Sequence, residues 1–190
     1  MTTQLKLDLR LWKPGQEARF IDSNEMIARY DQLKTDADFL RALMIDNLGM
    51  RLLVNATTVA RCVFMFNGET SPDMMQLYEQ HLLDLYRGAA VEIEFYEEQS
   101  IWHIEPDGNY KIIDTSHGYD EQTIEREGSL DRMEFISSAY EWIDSAIAVL
   151  ERYANLSNNN IAEQAAWMKR LRDFSLKAIS DLGWNAETVS

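Results

Sequence analysis

The chain has 190 residues, 46 % of them hydrophobic, and sets 32 acidic against 18 basic side chains for a net charge of −14. That length and apolar content suit a single domain over 1–190 with one core, and the charge argues against direct binding of nucleic acid or an anionic membrane surface and for a basic protein partner or plain solubility. The lone Cys62 lies in an apolar run and excludes a disulfide framework, which fits a reducing cytoplasm; the amino terminus is unlike a signal peptide, and no run approaches the roughly 20 apolar residues of a membrane span.

Taken in chain order, Leu5, Leu7, Leu9 and Leu11 alternate with Lys6, Asp8 and Arg10, the period-two pattern of a half-buried strand. Asp22 is placed to cap a helix, with Glu25 three residues on in capping-box position and Met26, Ile27, Tyr30 and Leu33 as its apolar stripe. Thr35 is the expected cap of a second helix through Leu48, so that one strand and two helices occupy most of 1–66. Residues 49–66 are apolar with little period: the β-branched and aromatic content favours buried strand, but Ala, Leu, Met and Arg permit helix, and both readings stand. Ser71 followed by Pro72 opens the next helix, with Met75, Tyr78, His81 or Leu82, and Leu85 inward and Gly88 at its end.

The clearest sheet signal is 89–114. Val91, Ile93 and Phe95 alternate with Glu92, Glu94 and Tyr96, a second run covers 100–104, and Pro106-Asp107-Gly108-Asn109 is a turn leading into a third run, 110–113. This is a three-stranded antiparallel meander, and the strand at 5–11 is expected to join it. Residues 115–128 are polar and loop-like, with a short edge strand possible at Thr123-Ile124-Glu125. Beyond them, 129–183 is a helical hairpin: Ser129 as cap, a seam of Met133, Ile136, Tyr140, Ile143, Ile147, Leu150 and Ala154, a break at Asn158-Asn159-Asn160, and a second seam from Ile161 through Ala178 to Leu182. The fold expected is α+β, a small antiparallel sheet packed on one face by helices, with a long C-terminal helical hairpin.

No motif names a reaction. A metal site would have to be built from His103, Glu105 and His117, with Asp120 or Glu121 nearby, donors that suit zinc or iron. Their spacing matches no metal motif, and a hydrogen-bonded surface histidine accounts for His103 more simply. Glu92 and Glu94 share a strand face and could act as an acid/base pair, but a charged exterior with Lys111 as cross-strand partner explains them as well. A nucleophile elbow and a glycine-rich phosphate loop are both missing from the sequence. We therefore expect a non-enzyme without a cofactor. Tyr96, Trp102, Tyr110 and Tyr119 gather around the meander beside carboxylates, the composition of a protein-binding hot spot. The expected partner-binding set is Glu92, Glu94, Tyr96, Trp102 and Tyr119, although Trp102 and Tyr110 could equally pack under the helices.

One resemblance goes further. Leu77-Tyr78 through Tyr86, Glu94-Phe95-Tyr96, Glu127-Gly128-Ser129-Leu130-Asp131, Ile136-Ser137-Ser138-Ala139-Tyr140 and Leu171-Arg172-Asp173-Phe174-Ser175-Leu176 occur in the order found in the plasmid and phage antirestriction family of the ArdB type, which 63–180 thus resembles. The chain departs from that family where Glu98-Gln99-Ser100-Ile101-Trp102 replaces a turn with Asn-Gly-Gly-Phe-Tyr, and where residues 1–62 precede the match. The resemblance implies a small cytoplasmic inhibitor of a host restriction or other defence system, not a pronounced DNA mimic. It carries over Glu94, Tyr96, Ser129, Asp131, Arg172 and Asp173, of which Ser129 and Asp131 read as helix caps. A toxin-neutralising immunity protein and a phage assembly or chaperone protein are the alternatives, with a metal-dependent enzyme behind them.

Overall fold

The computed structural model describes residues 1–11, 19–44, 48–64, 66, 70–96, 99–116, 122–156 and 160–184. It is an α+β fold with two four-stranded antiparallel sheets rather than one. In the first, β1 (Thr3–Leu11) lies between β2 (Arg19–Asp22) and β3 (Leu48–Val54), and β4 (Thr57–Val63) closes the order β2-β1-β3-β4. The expectation that 5–11 joins the meander is therefore corrected. Leu5, Leu7 and Leu9 do face a core, each contributing roughly 1.5–3 kcal/mol by burial, but a period-two pattern states which face is buried and not which strand lies alongside. The partner, β3, came from the stretch whose period was ambiguous. That stretch is a hairpin: Val54 pairs with Thr57 across Asn55 and Ala56, which have φ of 49° and 63°, as a two-residue turn of type I′ requires.

Three short helices fill the first sheet's connection: α1 (Ser23–Ala28), α2 (Tyr30–Leu33) and α3 (Ala37–Met44). Asp22 caps α1 by accepting from the Glu25 amide at 2.8 Å, as expected. The cap of α3 is Asp36 and not Thr35: the Asp36 carboxylate accepts from the amides of Asp38 and Phe39, whereas the Thr35 hydroxyl donates back to the Gln32 carbonyl.

Ser71 and Pro72 start a helix as predicted, made of α4 (Pro72–Gln76), a π turn (Leu77–His81) and α5 (Leu82–Tyr86). Met74, not Met75, is the buried methionine. The π turn is clamped by its neighbours: the Tyr78 hydroxyl donates to the Ala139 carbonyl, and Ser175 donates to the Tyr78 carbonyl while its Oγ lies 2.8 Å from the Tyr140 hydroxyl. Burial raises the Tyr78 pKa and carries that of Tyr140 up to about 12, so both remain neutral.

The second sheet has the order β5-β6-β7-β8: β5 (Val91–Phe95), β6 (Ser100–Ile104), β7 (Asn109–Ser116) and β8 (Gln122–Ser129). The turn between β6 and β7 has Gly108 at φ 88°, as its sequence predicted. The fourth strand is longer than the short edge strand foreseen and pairs with β7 from Ser116–Gln122 to Asn109–Ser129. As an edge strand with little buried surface it has no apolar alternation to announce it.

The C-terminal hairpin consists of α6 (Arg132–Tyr153) and α7 (Asn160–Ser180). Its cap is Asp131, which accepts from the amides of Met133 and Glu134; Ser129 instead ends β8 and bonds Asn109. α6 is buried well beyond a two-residue seam because it packs on β1, α1, α5 and α7 together, which makes it the central element of the core. Trp142 donates to the Gly49 carbonyl at 3.0 Å and Tyr153 to the Met26 carbonyl at 2.9 Å, binding α6 to the N-terminal half. In the last turn of α7 the buried residue is Ile179 and not Ala178, because a straight helix drifts off a seven-residue repeat; beyond the helix, Trp184 is buried and Leu182 exposed.

Candidate functional site

The inner faces of β5, β6 and β7 pack on the core, and the outer faces of β5 to β8 form one open surface. Two cross-strand rows cross it. Glu92, His103, Lys111 and Glu127 are successive register partners, and so are Glu94, Ile101, Ile113 and Glu125. Glu92 and Glu94 are exposed, and Tyr96, just past the end of β5, is 56 % exposed. With Glu105 this surface holds five glutamates against Lys111 and His103, around half-buried Ile101 and Ile113.

Internal pairs hold part of this charge in place. His103 Nδ1 lies 3.1 Å from a Glu92 oxygen, so Glu92 is paired with the neighbouring strand's histidine and not with Lys111. Lys111 reaches the other way, to Glu125 at 2.8 Å and Glu127 at 4.0 Å; its hydrogen bond to Glu125 raises the ammonium pKa. Exposed pairs of this kind contribute about 0–1 kcal/mol each, so they orient side chains more than they stabilise the sheet. No ion pair is recorded for Glu94 or Glu105 among the described residues. A shallow cleft of about 400 Å³ runs between His103, Glu105, Lys111 and Glu127 above Tyr110 and Gly128.

Trp102 is a correction to the expected binding set. It lies on the inner face, 1 % exposed, with its ring 4.7 Å from that of Phe95 and its indole N–H donating to Ser100. Its position alternates with His103, so a strand assignment puts them on opposite faces. Tyr110 is inward as well, against Gly128: a Cβ at 128 would come within 2.6 Å of the tyrosine hydroxyl oxygen. Tyr119 and His117, with Asp120 and Glu121, lie outside the described residues. Among the described residues no group of three His, Cys, Asp or Glu side chains is placed to hold a metal ion, so His103 and Glu105 stand there without a third ligand. Arg172 and Asp173, carried over by the resemblance, belong to the hairpin: Arg172 joins Asp173 of its own helix to Asp144 on α6.

A second polar constellation escaped the sequence reading. On the inner face of β6 to β8, Trp102 donates to Ser100, Ser100 donates to Asp114, and Arg126 pairs with the other oxygen of Asp114. This chain of contacts leads from the core to a groove of about 300 Å³ beside β4. Only the pairing of β7 with β8 brings Asp114 and Arg126 together, and the polar run 115–128 predicts a loop with at most a short edge strand at 123–125. Comparison with family models, with curated proteins and with solved structures finds no match to this chain.

Proposed function

We propose that the protein is an acidic, non-enzymatic interaction protein that engages a basic surface of a protein partner through the open face of its second sheet. The observation that carries this reading is that face itself: five glutamates and the exposed Tyr96 surround two half-buried isoleucines, an aromatic and aliphatic centre within a charged rim. Charges of one sign on such a face speed encounter with a cationic partner and reject anionic ones. The setting we propose, from the residue resemblance over 63–180, is antirestriction, with the partner a restriction or nuclease subunit.

The test is the plating efficiency of unmodified phage on a strain with an active type I restriction system, with and without the protein. Rescue by the wild type that is lost when Glu92, Glu94 and Tyr96 are all changed to Ala is the expected result. All three side chains are exposed, so the triple variant folds normally. Absence of rescue by soluble wild-type protein overturns the antirestriction setting, and rescue that survives the triple substitution overturns the sheet face as the contact surface.

A further inference from the structure

Three cations of this acidic chain form a row. On the face of the first sheet turned away from the core, Lys6 is the register partner of Arg51, and Arg51 is the register partner of Arg61. Three cations thus stand side by side on β1, β3 and β4, about 5 Å apart from strand to strand. Like charges directly opposite one another destabilise a sheet. Asp8, 2 % exposed, offsets part of this by lying 3.3 Å from Arg51 and 3.4 Å from Arg61.

The row ends at an edge. β4 pairs with β3 on one side, and no described strand pairs with its other side. Along that free side runs the groove of about 300 Å³, lined by four consecutive edge residues, Thr58, Val59, Ala60 and Arg61, and on its far wall by Asp114 and Arg126. The register with β3 skips Val59, a bulge that interrupts the alternation there, but Ala60 and Arg61 pair regularly with Leu52 and Arg51 and point to opposite faces, so both line the groove only if the strand's backbone edge faces it. Both oxygens of Asp114 are engaged, by Ser100 and Arg126. A guanidinium has five N–H donors, and the side chains of Arg61 and Arg126 are 42 % and 39 % exposed.

We propose that this groove is a docking site for an extended acidic peptide segment of a partner protein, which adds as a strand to the free edge of β4 and sets its carboxylates on Arg61 and Arg126. Strand addition supplies affinity through main-chain hydrogen bonds, and flanking side chains supply selectivity. The net charge of −14 does not forbid an acidic ligand: at physiological salt the Debye length is about 8 Å, so distant carboxylates are screened, and Arg51, Arg61 and Arg126 outnumber the carboxylates paired with them, Asp8 and Asp114. This surface is separate from the glutamate-bearing face of the second sheet, and either could fail alone.

The test uses the full chain and a fluorophore-labelled peptide of alternating Glu and Val, followed by fluorescence anisotropy. Saturable binding with Kd below about 1 mM is expected. It should weaken about tenfold or more in Arg126→Gln, the loss of one charge-assisted hydrogen bond, with folding of the variant checked by thermal unfolding. The same peptide N-methylated at every residue keeps its charge and offers no main-chain donor on either edge, so its binding to the wild type should be lost. Equal binding of the methylated and unmethylated peptides overturns strand addition, and so does the absence of saturation. Equal binding of a Lys/Val peptide overturns the charge assignment, and preferential binding of an oligothymidylate of the same charge replaces the peptide by nucleic acid.

Discussion

Ala56 occupies a backbone conformation that costs an L-residue roughly 1–2 kcal/mol, because Cβ crowds the following carbonyl. Its φ of 63° follows from the two-residue turn between β3 and β4, where Asn55 precedes it at 49°. Asparagine tolerates that region and alanine does not, so Ala56→Gly should stabilise the protein by about 0.5–1 kcal/mol once the added freedom of the unfolded chain is subtracted. Urea unfolding should show a higher midpoint at unchanged slope; an unchanged or lower midpoint would contradict the strained turn. The same residue explains why the hairpin was hard to read. An Asn-Gly pair would have marked it, and Asn-Ala left 49–66 open between strand and helix. Trp102 was ambiguous for a different reason, since its composition fits a hot spot and a core equally, and only its place one residue from His103 on a strand decides.

At the scale of elements, sequence was informative where two signals agreed. Ser71 with Pro72 marked the start of α4, and the alternation of β5 marked which of its faces is wet. It was less informative where several candidates for one role stood close together. Ser129 and Asp131 both precede α6, yet only Asp131 accepts from the first-turn amides. Asp131→Ala should therefore cost about 1 kcal/mol, whereas Ser129→Ala, which removes an exposed bond to Asn109, should cost well under half of that. Thermal unfolding of the two variants side by side distinguishes them, and equal losses would reject Asp131 as the cap. β8 shows the remaining limit. Its inner positions are Gly128, Arg126 and Ile124, the last 45 % exposed, so the apolar pattern that identifies a strand is missing although its pairing with β7 is complete. The Asp114–Arg126 pair, and with it the groove beside β4, was hidden by the same cause.

For the molecule as a whole, charge is segregated: glutamates on the open face of one sheet, a row of cations on the other. Its stability should depend on pH through a group in neither set. His81, 6 % exposed, sits in the π turn with no hydrogen-bond partner on Nε2. Burial holds its pKa below the ordinary 6.5, outweighing the opposing pull of Asp84 and Glu92. The folded state therefore resists a proton that the unfolded chain accepts, and stability present above about pH 6.5 is lost as pH falls toward the folded-state pKa, by at most about 1.4 kcal/mol per pH unit. Asp8 acts in the opposite sense. Desolvation raises its pKa despite Arg51 and Arg61, so its contribution declines as pH rises from the unfolded value of 3.8 through the folded one, and because it is common to the wild type and a His81 variant it cancels in their difference. Urea unfolding at about pH 7.5 and 5.5 should show wild-type stability falling toward acid and His81→Gln falling less, the difference being on the order of 1 kcal/mol. The comparison of slopes is insensitive to any uniform cost of the substitution, and parallel slopes would mean that His81 is protonated as readily in the folded protein as in the unfolded chain.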